Sequence, residues 1–242
     1  MRSIIRINLA VLLLSLVSLA ATPTVVQKSA VAATTTGTSV STASVTTHTG
    51  NSLAVACGSQ LQTATYTASD GTNTFTPVGA ANTSSAAEGS LRWFVAQNIT
   101  GVTHAITCTE ASNNFREIFF YEISGASTSA AVDVPTSGGT SGTTGTSATP
   151  SFTLPATNFA NDLLLFTVAC GNSCSADAGA DAGNSQSDAN GDESETYSKT
   201  ATGTYTGQFT QTNGAFVIVG VALTDGGGAG GSSAVPKRGE VF

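Results

Sequence analysis

The stretch from Phe115 to Gly125, Phe-Arg-Glu-Ile-Phe-Phe-Tyr-Glu-Ile-Ser-Gly, constrains the fold of this chain more than any other. Aromatic and β-branched residues crowd between Asn113-Asn114 and a Ser-Gly stop, in a run shorter than a buried helix needs and bounded by turn formers. In an extended chain Ile118 and Phe120 share one face, while Phe119, Tyr121 and Ile123 share the other. A strand apolar on both faces belongs at the centre of a layered β-structure. The remainder is read as shorter strands wrapped about it.

Several stretches supply those strands. Ser39 to Thr47 alternates Val with Thr and Ser, as an edge strand does, and Ser52 to Cys57 is a compact apolar run entered from Gly50-Asn51. Ser90 to Ala96 sets Leu91, Trp93 and Val95 on one face. Asp162 to Cys170 and Ala215 to Leu223 are further apolar runs. Asp70-Gly71, between Thr63 to Thr67 and Thr74 to Thr76, predicts a hairpin. Asn51 to Gly58 and Asn161 to Gly171 begin and end alike, which fits either a duplicated strand motif or a common way of building a buried strand.

Ser137 to Ser147 is a low-complexity run of Ser, Gly and Thr. It reads as a long surface loop, with a domain boundary at 137–147 as the alternative, because the part after it looks too poor in apolar strands to close a core alone. The expected fold is therefore all-β: an antiparallel β-sandwich, jelly-roll-like, forming a single domain with long loops.

The ends are read from their composition. Arg2 and Arg6, the apolar core Leu9 to Val17 and the small-x-small site Ser18-Leu19-Ala20 make residues 1–20 a signal peptide. Residues 21–37 form a flexible lead-in, 38–225 the sandwich, and 226–242 a Gly-rich disordered tail. No later stretch is long and apolar enough for a transmembrane helix in the mature chain. The expected location is secreted, either extracellular or at the cell surface. In an oxidising compartment the four cysteines predict disulfides, with Cys57 to Cys108 as a cross-strand link and Cys170 to Cys174 as a loop staple preferred among the three pairings.

The order of these strands, with the Leu/Val strand after Gly50-Asn51, the Asp70-Gly71 turn, the aromatic strand ending Ala96-Gln97-Asn98-Ile99 and the one ending Glu122-Ile123-Ser124-Gly125, resembles jelly-roll-type β-sandwich domains of uncharacterised secreted and surface proteins of bacteria. The resemblance covers roughly Ser39 to Asp225 and rests on pattern. It implies a fold and an extracellular setting, and it carries no catalytic residues to transfer. The cysteines and the acidic segment of the second half depart from the usual pattern.

Charge narrows the function classes. Only 10% of residues are charged, the formal net charge is −7, and the eight Lys and Arg are scattered, so a nucleic-acid footprint is lacking. Acidic residues gather between Asp177 and Glu195. Within them Asp188, Asn190 and Asp192 match the first half of a calcium loop, but Glu193 stands where the turn glycine belongs. A solvated loop is the competing reading. Trp93, Tyr66, Tyr197 and Tyr205 are the candidate rings for stacking on sugars, although Trp93 alternates with Leu91 and Val95 as a core residue does. Glu117 and Glu122 lie on opposite faces of one strand and cannot form a glycosidase pair. His48 and His104 lack any motif around them, and no catalytic residue is assigned. Glu122, if it points inward, needs a partner such as Arg92 or Arg116.

These readings lead to a secreted, non-catalytic sandwich with a structural or adhesive role at the cell surface or in the extracellular matrix, acting through self-assembly or cell-surface glycans. The alternative is a carbohydrate-binding module, assisted by calcium. No other cofactor is expected.

Overall fold

The computed structural model describes residues 22–80 and 82–225, so the expected signal peptide at 1–20 and the expected disordered tail at 226–242 lie outside the described residues. Every regular element among them is a strand. The first half lays down β1 (Thr24–Ala32), β2 (Gly37–Ser41), β3 (Val45–Thr46), β4 (Ser52–Ser59), β5 (Tyr66–Ser69), β6 (Thr76–Pro77), β7 (Thr83–Ser85), β8 (Gly89–Ala96), β9 (Thr103–His104), β10 (Thr107–Asn114) and β11 (Arg116–Ser124). The second half follows with β12 (Val132–Val134), β13 (Gly142–Ser147), β14 (Ser151–Thr153), β15 (Asp162–Cys170), β16 (Ser175–Ala176), β17 (Gln186–Ser187), β18 (Glu193–Lys199), β19 (Thr206–Thr210) and β20 (Gly214–Thr224).

Pairing is antiparallel and nested. In the first half β1 pairs with β11, β2 with β10 and β4 with β8, the pattern of a jelly roll. In the second half β13 pairs with β20, β14 with β19 and β15 with β18. The topology is thus repeated. Each half has a large sheet, ordered β1-β11-β4-β8-β6 in one and β12-β20-β15-β18-β17 in the other, and a small outer sheet, β2-β10-β5 or β14-β19-β16.

The two large sheets pack on each other, which makes four layers. Between them lies a core that includes Leu91, Trp93, Phe119 and Tyr121 from one side and Leu163, Leu165, Val219 and Val221 from the other. The far face of the first large sheet packs Leu53, Val55, Ile118 and Phe120 against Val40, Tyr66 and Ile106. In the second half Leu164, Phe166, Val168 and Ile218 meet Phe152 and Phe209. The two-faced character of β11 is therefore used in full, with Phe119, Tyr121 and Ile123 in the shared core and Ile118 and Phe120 in the outer one. The repeated motif also finds its place. Aligned on their cysteines, Leu53, Val55 and Cys57 face the first outer core as Phe166, Val168 and Cys170 face the second.

Several expectations are corrected. The lead-in is not loose: Thr24–Ala32 is strand β1, bonded along β11, and Lys28 Nζ reaches the Ser185 carbonyl at 2.6 Å. Val25, Val26 and Val31 supply β-branched residues there, as an edge strand beside β11 needs. The chain passes into the second sandwich between Ser124 and Val132, ahead of the Ser/Gly/Thr run, and Gly142–Ser147 of that run is strand β13 on β20. At Gly142 an added Cβ would stand 2.2 Å from the Ile218 carbonyl oxygen, so glycine there permits close approach. The second half does close a core of its own, using Phe152, Phe209 and Phe216 that sit in short or Gly-flanked strands. The Asp70-Gly71 turn forms, with Gly71 at φ +81° and Asp70 Oδ1 accepting from the Asn73 amide at 2.7 Å. It joins no hairpin, because β5 pairs with β10 and β6 with β8.

Both expected disulfides are present, Cys57 to Cys108 and Cys170 to Cys174. The first ties the large sheet to the outer one across a separation of 51 residues, the second closes a span of 4. Loop-closure entropy then predicts unequal losses: replacing the first pair by Ala should cost about 4 kcal/mol and the second about 2 kcal/mol. Urea unfolding of the two double variants checks the difference, and equal losses would contradict it.

Candidate metal centre

The candidate site forms where β11 begins. Strand alternation sends Arg116 toward the outer sheet, where Nη2 meets Glu110 Oε1 at 2.9 Å, and sends Glu117 to the face shared with Phe119 and Tyr121. Glu117 is 6% exposed and lies across Gly58, its cross-strand partner; a Cβ at Gly58 would stand 2.2 Å from Glu117 Oε1. Only glycine leaves room for this side chain.

The second half contributes the turn between β17 and β18. The Asp188 amide donates to the Asp192 carbonyl at 3.0 Å, and Gly191 turns the chain at φ +88°. Asp188 Oδ1 accepts from the amides of Asn190 at 2.8 Å and Asp192 at 3.1 Å, while its buried Oδ2 has no hydrogen-bond partner. Asp192 is 7% exposed and its Oδ1 accepts from the Cys170 amide at 2.7 Å. The turn thus aims two carboxylates at the seam. One oxygen each from Glu117, Asp188 and Asp192 lie within 4.8 Å of one another.

Electrostatics follow from that crowding. Burial, then the charges of Asp192 and Asp188, push the Glu117 carboxyl well above its ordinary range. Burial and then Asp192 raise Asp188 to about 6, and the same two causes raise Glu88. A cleft of about 260 Å³ opens beside the group, with Glu88, Phe115, Glu117, Asn190 and Asp192 among its walls. The basic residue in its lining is Arg116, which is held by Glu110 and the Asn114 carbonyl. A wider cleft of about 770 Å³, between Thr72 and Ser137, has no titratable side chain in its walls. The oxygen-only donor set of the triad suits a hard cation such as calcium.

The residues singled out from sequence fare unequally. Asp188 and Asp192 come together, but the third carboxylate is Glu117 from the other sandwich. Asn190 instead gives its amide to Asp188 and lines the cleft with an exposed side chain. The acidic segment is no solvated loop throughout, since Glu193 and Glu195 are buried in β18. Three of the four candidate rings are corrected as sugar platforms. Trp93 is 0% exposed in the shared core, Tyr66 is buried with its hydroxyl on the Ser90 carbonyl, and Tyr197 is buried with its hydroxyl on Glu195. Tyr205 is half-buried and donates to the Ala201 carbonyl, with Lys199 Nζ 5.4 Å from its ring centre. Trp93, Tyr66 and Tyr197 are used internally because a stack of sheets needs large side chains between layers, whereas Tyr205 keeps part of its ring at the surface.

Glu122 does point inward, yet its partners are neither Arg92 nor Arg116. It accepts from the His48 amide at 2.7 Å, from Asn51 Nδ2 at 2.8 Å and from Gln27 Nε2, and His48 Nδ1 lies 3.1 Å away. His48 therefore has an acidic neighbour in space. Among the described residues no hydroxyl is bonded to its ring, so a nucleophile with a base is not assembled there. His104 Nδ1 lies 2.7 Å from the Asp70 carbonyl oxygen. Sequence reading missed Glu117 and Phe115 as site residues. The available signal was a carboxylate on the apolar face of the most apolar strand, where burial demands a partner.

Comparison with protein-family models, with curated proteins and with solved structures found no match for this chain.

Two further buried acids make stability depend on pH. Asp162, fully buried at the start of β15, is pushed to about 7 by burial and then by Asp133 beside it; burial also takes Glu195 to about 7. The folded chain keeps protons that the unfolded chain has released, so stability should be full near pH 4 and decline as pH rises through 7. Asp162→Asn should flatten that decline and gain about 2 kcal/mol at pH 8. Urea unfolding at several pH values in chelator reads this out, and a rise in stability from pH 4.5 to 8 would contradict it.

Proposed function

We propose that this chain is a secreted structural protein that acts by adhesion or assembly at the cell surface or in the extracellular matrix. The observation that carries the reading is the character of the two outer sheets. On the first, Ser41, half-buried Thr107 and Ser69 form one outward row across three strands, and the exposed Ser39, Thr109 and Thr67 form the next. Neighbouring hydroxyls are paired, as for Ser41 Oγ and Thr107 Oγ1 at 2.8 Å. On the second outer sheet Thr153 Oγ1 meets Thr206 Oγ1 at 2.7 Å. Hydroxyl rows without charge can hydrogen-bond to hydroxyl-rich polymers or to a second copy without desolvating ions. The export-type leader and the two disulfides agree with an oxidising, extracellular setting.

Carbohydrate binding is a second reading, favoured by one observation. Phe115 is 37% exposed in the wall of the acidic cleft, with Gln60 and Asn190 beside it, so a ring face and amide groups meet there.

Sedimentation of the chain with insoluble polysaccharides and cell-wall fractions, run alongside analytical ultracentrifugation of the chain alone, tests both readings. Adhesion or assembly predicts saturable pull-down or concentration-dependent oligomers, reduced several-fold when Thr67, Thr107 and Thr109 are changed to Lys. Sugar binding in the cleft predicts pull-down that survives those changes and is lost in Phe115→Ala. A chain that stays monomeric and binds no fraction at any concentration would overturn both.

A further inference from the structure

We propose that Glu117, Asp188 and Asp192 form a calcium site that bridges the two sandwiches. Two acids on one turn would not by themselves define a site. What points to a ligand is the group that faces them from the other half. Glu117 is more than nine-tenths buried, no N–H or hydroxyl among the described residues donates to its carboxylate, and the groups that face it are the carboxyls of Asp188 and Asp192. A buried carboxylate normally takes two or more donors, as Glu122 does on the same strand. Glu117 has none, and Asp188 Oδ2, also buried, has none either.

The donor set selects the cation. Oxygens sharing one calcium at about 2.3–2.6 Å lie up to about 5 Å apart across the coordination sphere, and the triad's oxygens, all within 4.8 Å of one another, fit inside it. An all-carboxylate set suits a hard divalent ion, and magnesium, which gives up its waters reluctantly and demands a near-ideal octahedron, is the poorer occupant. Three protein oxygens fall short of the six to eight that calcium takes. The adjoining cleft can admit waters to complete the shell, and Asn190 and Glu88 stand in its walls with further oxygens.

The turn is already shaped for this role. Asp188 Oδ1 and Asp192 Oδ1 are anchored by backbone amides, which fixes the carboxylates before any ion arrives. Gly58 clears the path that Glu117 takes to reach them. The ion would connect the start of β11 to the β17–β18 turn, at the rim of the core shared by the two large sheets. This site is independent of what the outer sheets adhere to.

Isothermal titration of the full, chelator-treated chain with calcium, and separately with magnesium, tests the proposal, together with thermal unfolding in each ion. The expected result is one calcium per chain, a thermal midpoint raised by calcium, and binding at least tenfold weaker for magnesium. Glu117→Gln and Asp192→Asn should each weaken calcium at least tenfold, while Asp181→Asn, whose carboxylate is bonded by Thr196 and Ser198 further along β18, should leave it unchanged. Circular dichroism establishes that each variant is folded, and should Glu117→Gln not fold, the wild-type titration decides alone. No saturable binding by the wild type at millimolar calcium would overturn the proposal. So would undiminished binding by a folded Glu117→Gln.

Discussion

Everything in this molecule depends on the contact between the two large sheets. Each sheet is covered twice, by its own outer sheet and by the large sheet of the other half, so its strands are apolar on both faces rather than alternating. Such strands leave no face for solvent and set strict demands on volume. Phe166 fits only because Gly207 and Gly220 lie under its ring, where an added Cβ would come within 2.2 and 2.7 Å of ring carbons. Tyr121, Ser194 and Trp93, caught in the seam, find partners there. Tyr121 donates to Ser194 Oγ at 2.9 Å, Ser194 to the Phe166 carbonyl, and Trp93 Nε1 lies 3.4 Å from the Val219 carbonyl oxygen.

That arrangement explains which parts of the structure were legible in the sequence. β11, β4, β8, β15 and β20 could be read because double burial makes each a continuous run of Leu, Val, Ile and aromatic residues bounded by turn formers. β1 and β13 were not legible. Both lie beside a strand that carries the bulk: β13 is only Gly, Thr and Ser, and β1 mixes Val with Gln, Lys, Ser and Ala between flanks of Ala and Thr that look like a lead-in. β18 was hidden for the opposite reason, since Glu193 and Glu195 are buried yet look like a solvated acidic run until Ser187 and the Asp177 amide are seen to bond them. The disulfide pairing was a preference among three that the sequence left open, and the structure has the preferred one. The site followed only in part: Asp188 and Asp192 share a turn, whereas Glu117 is some seventy residues away and reaches them only because the halves stack.

The same constraint sorts the surface by chemistry. Rings are drawn inward, so Trp93, Tyr66 and Tyr197 hold layers together and Phe115 is left as the exposed ring beside the acidic cleft. Charge is gathered at the rim of the seam, while the outer sheets present hydroxyls. A structural role for the outer faces and a cation at the seam are therefore compatible, and each can fail without the other.

Hydrogen exchange followed by mass spectrometry tests the shared core most directly. If the two sandwiches stand or fall together, amides of Ile118 to Ile123 and of Phe216 to Leu223 should exchange only through global unfolding, with the same free energy and the same denaturant dependence. If one set exchanges with a much smaller free energy while the other stays protected, the halves fold independently. The seam would then be a docking contact between two self-sufficient jelly rolls.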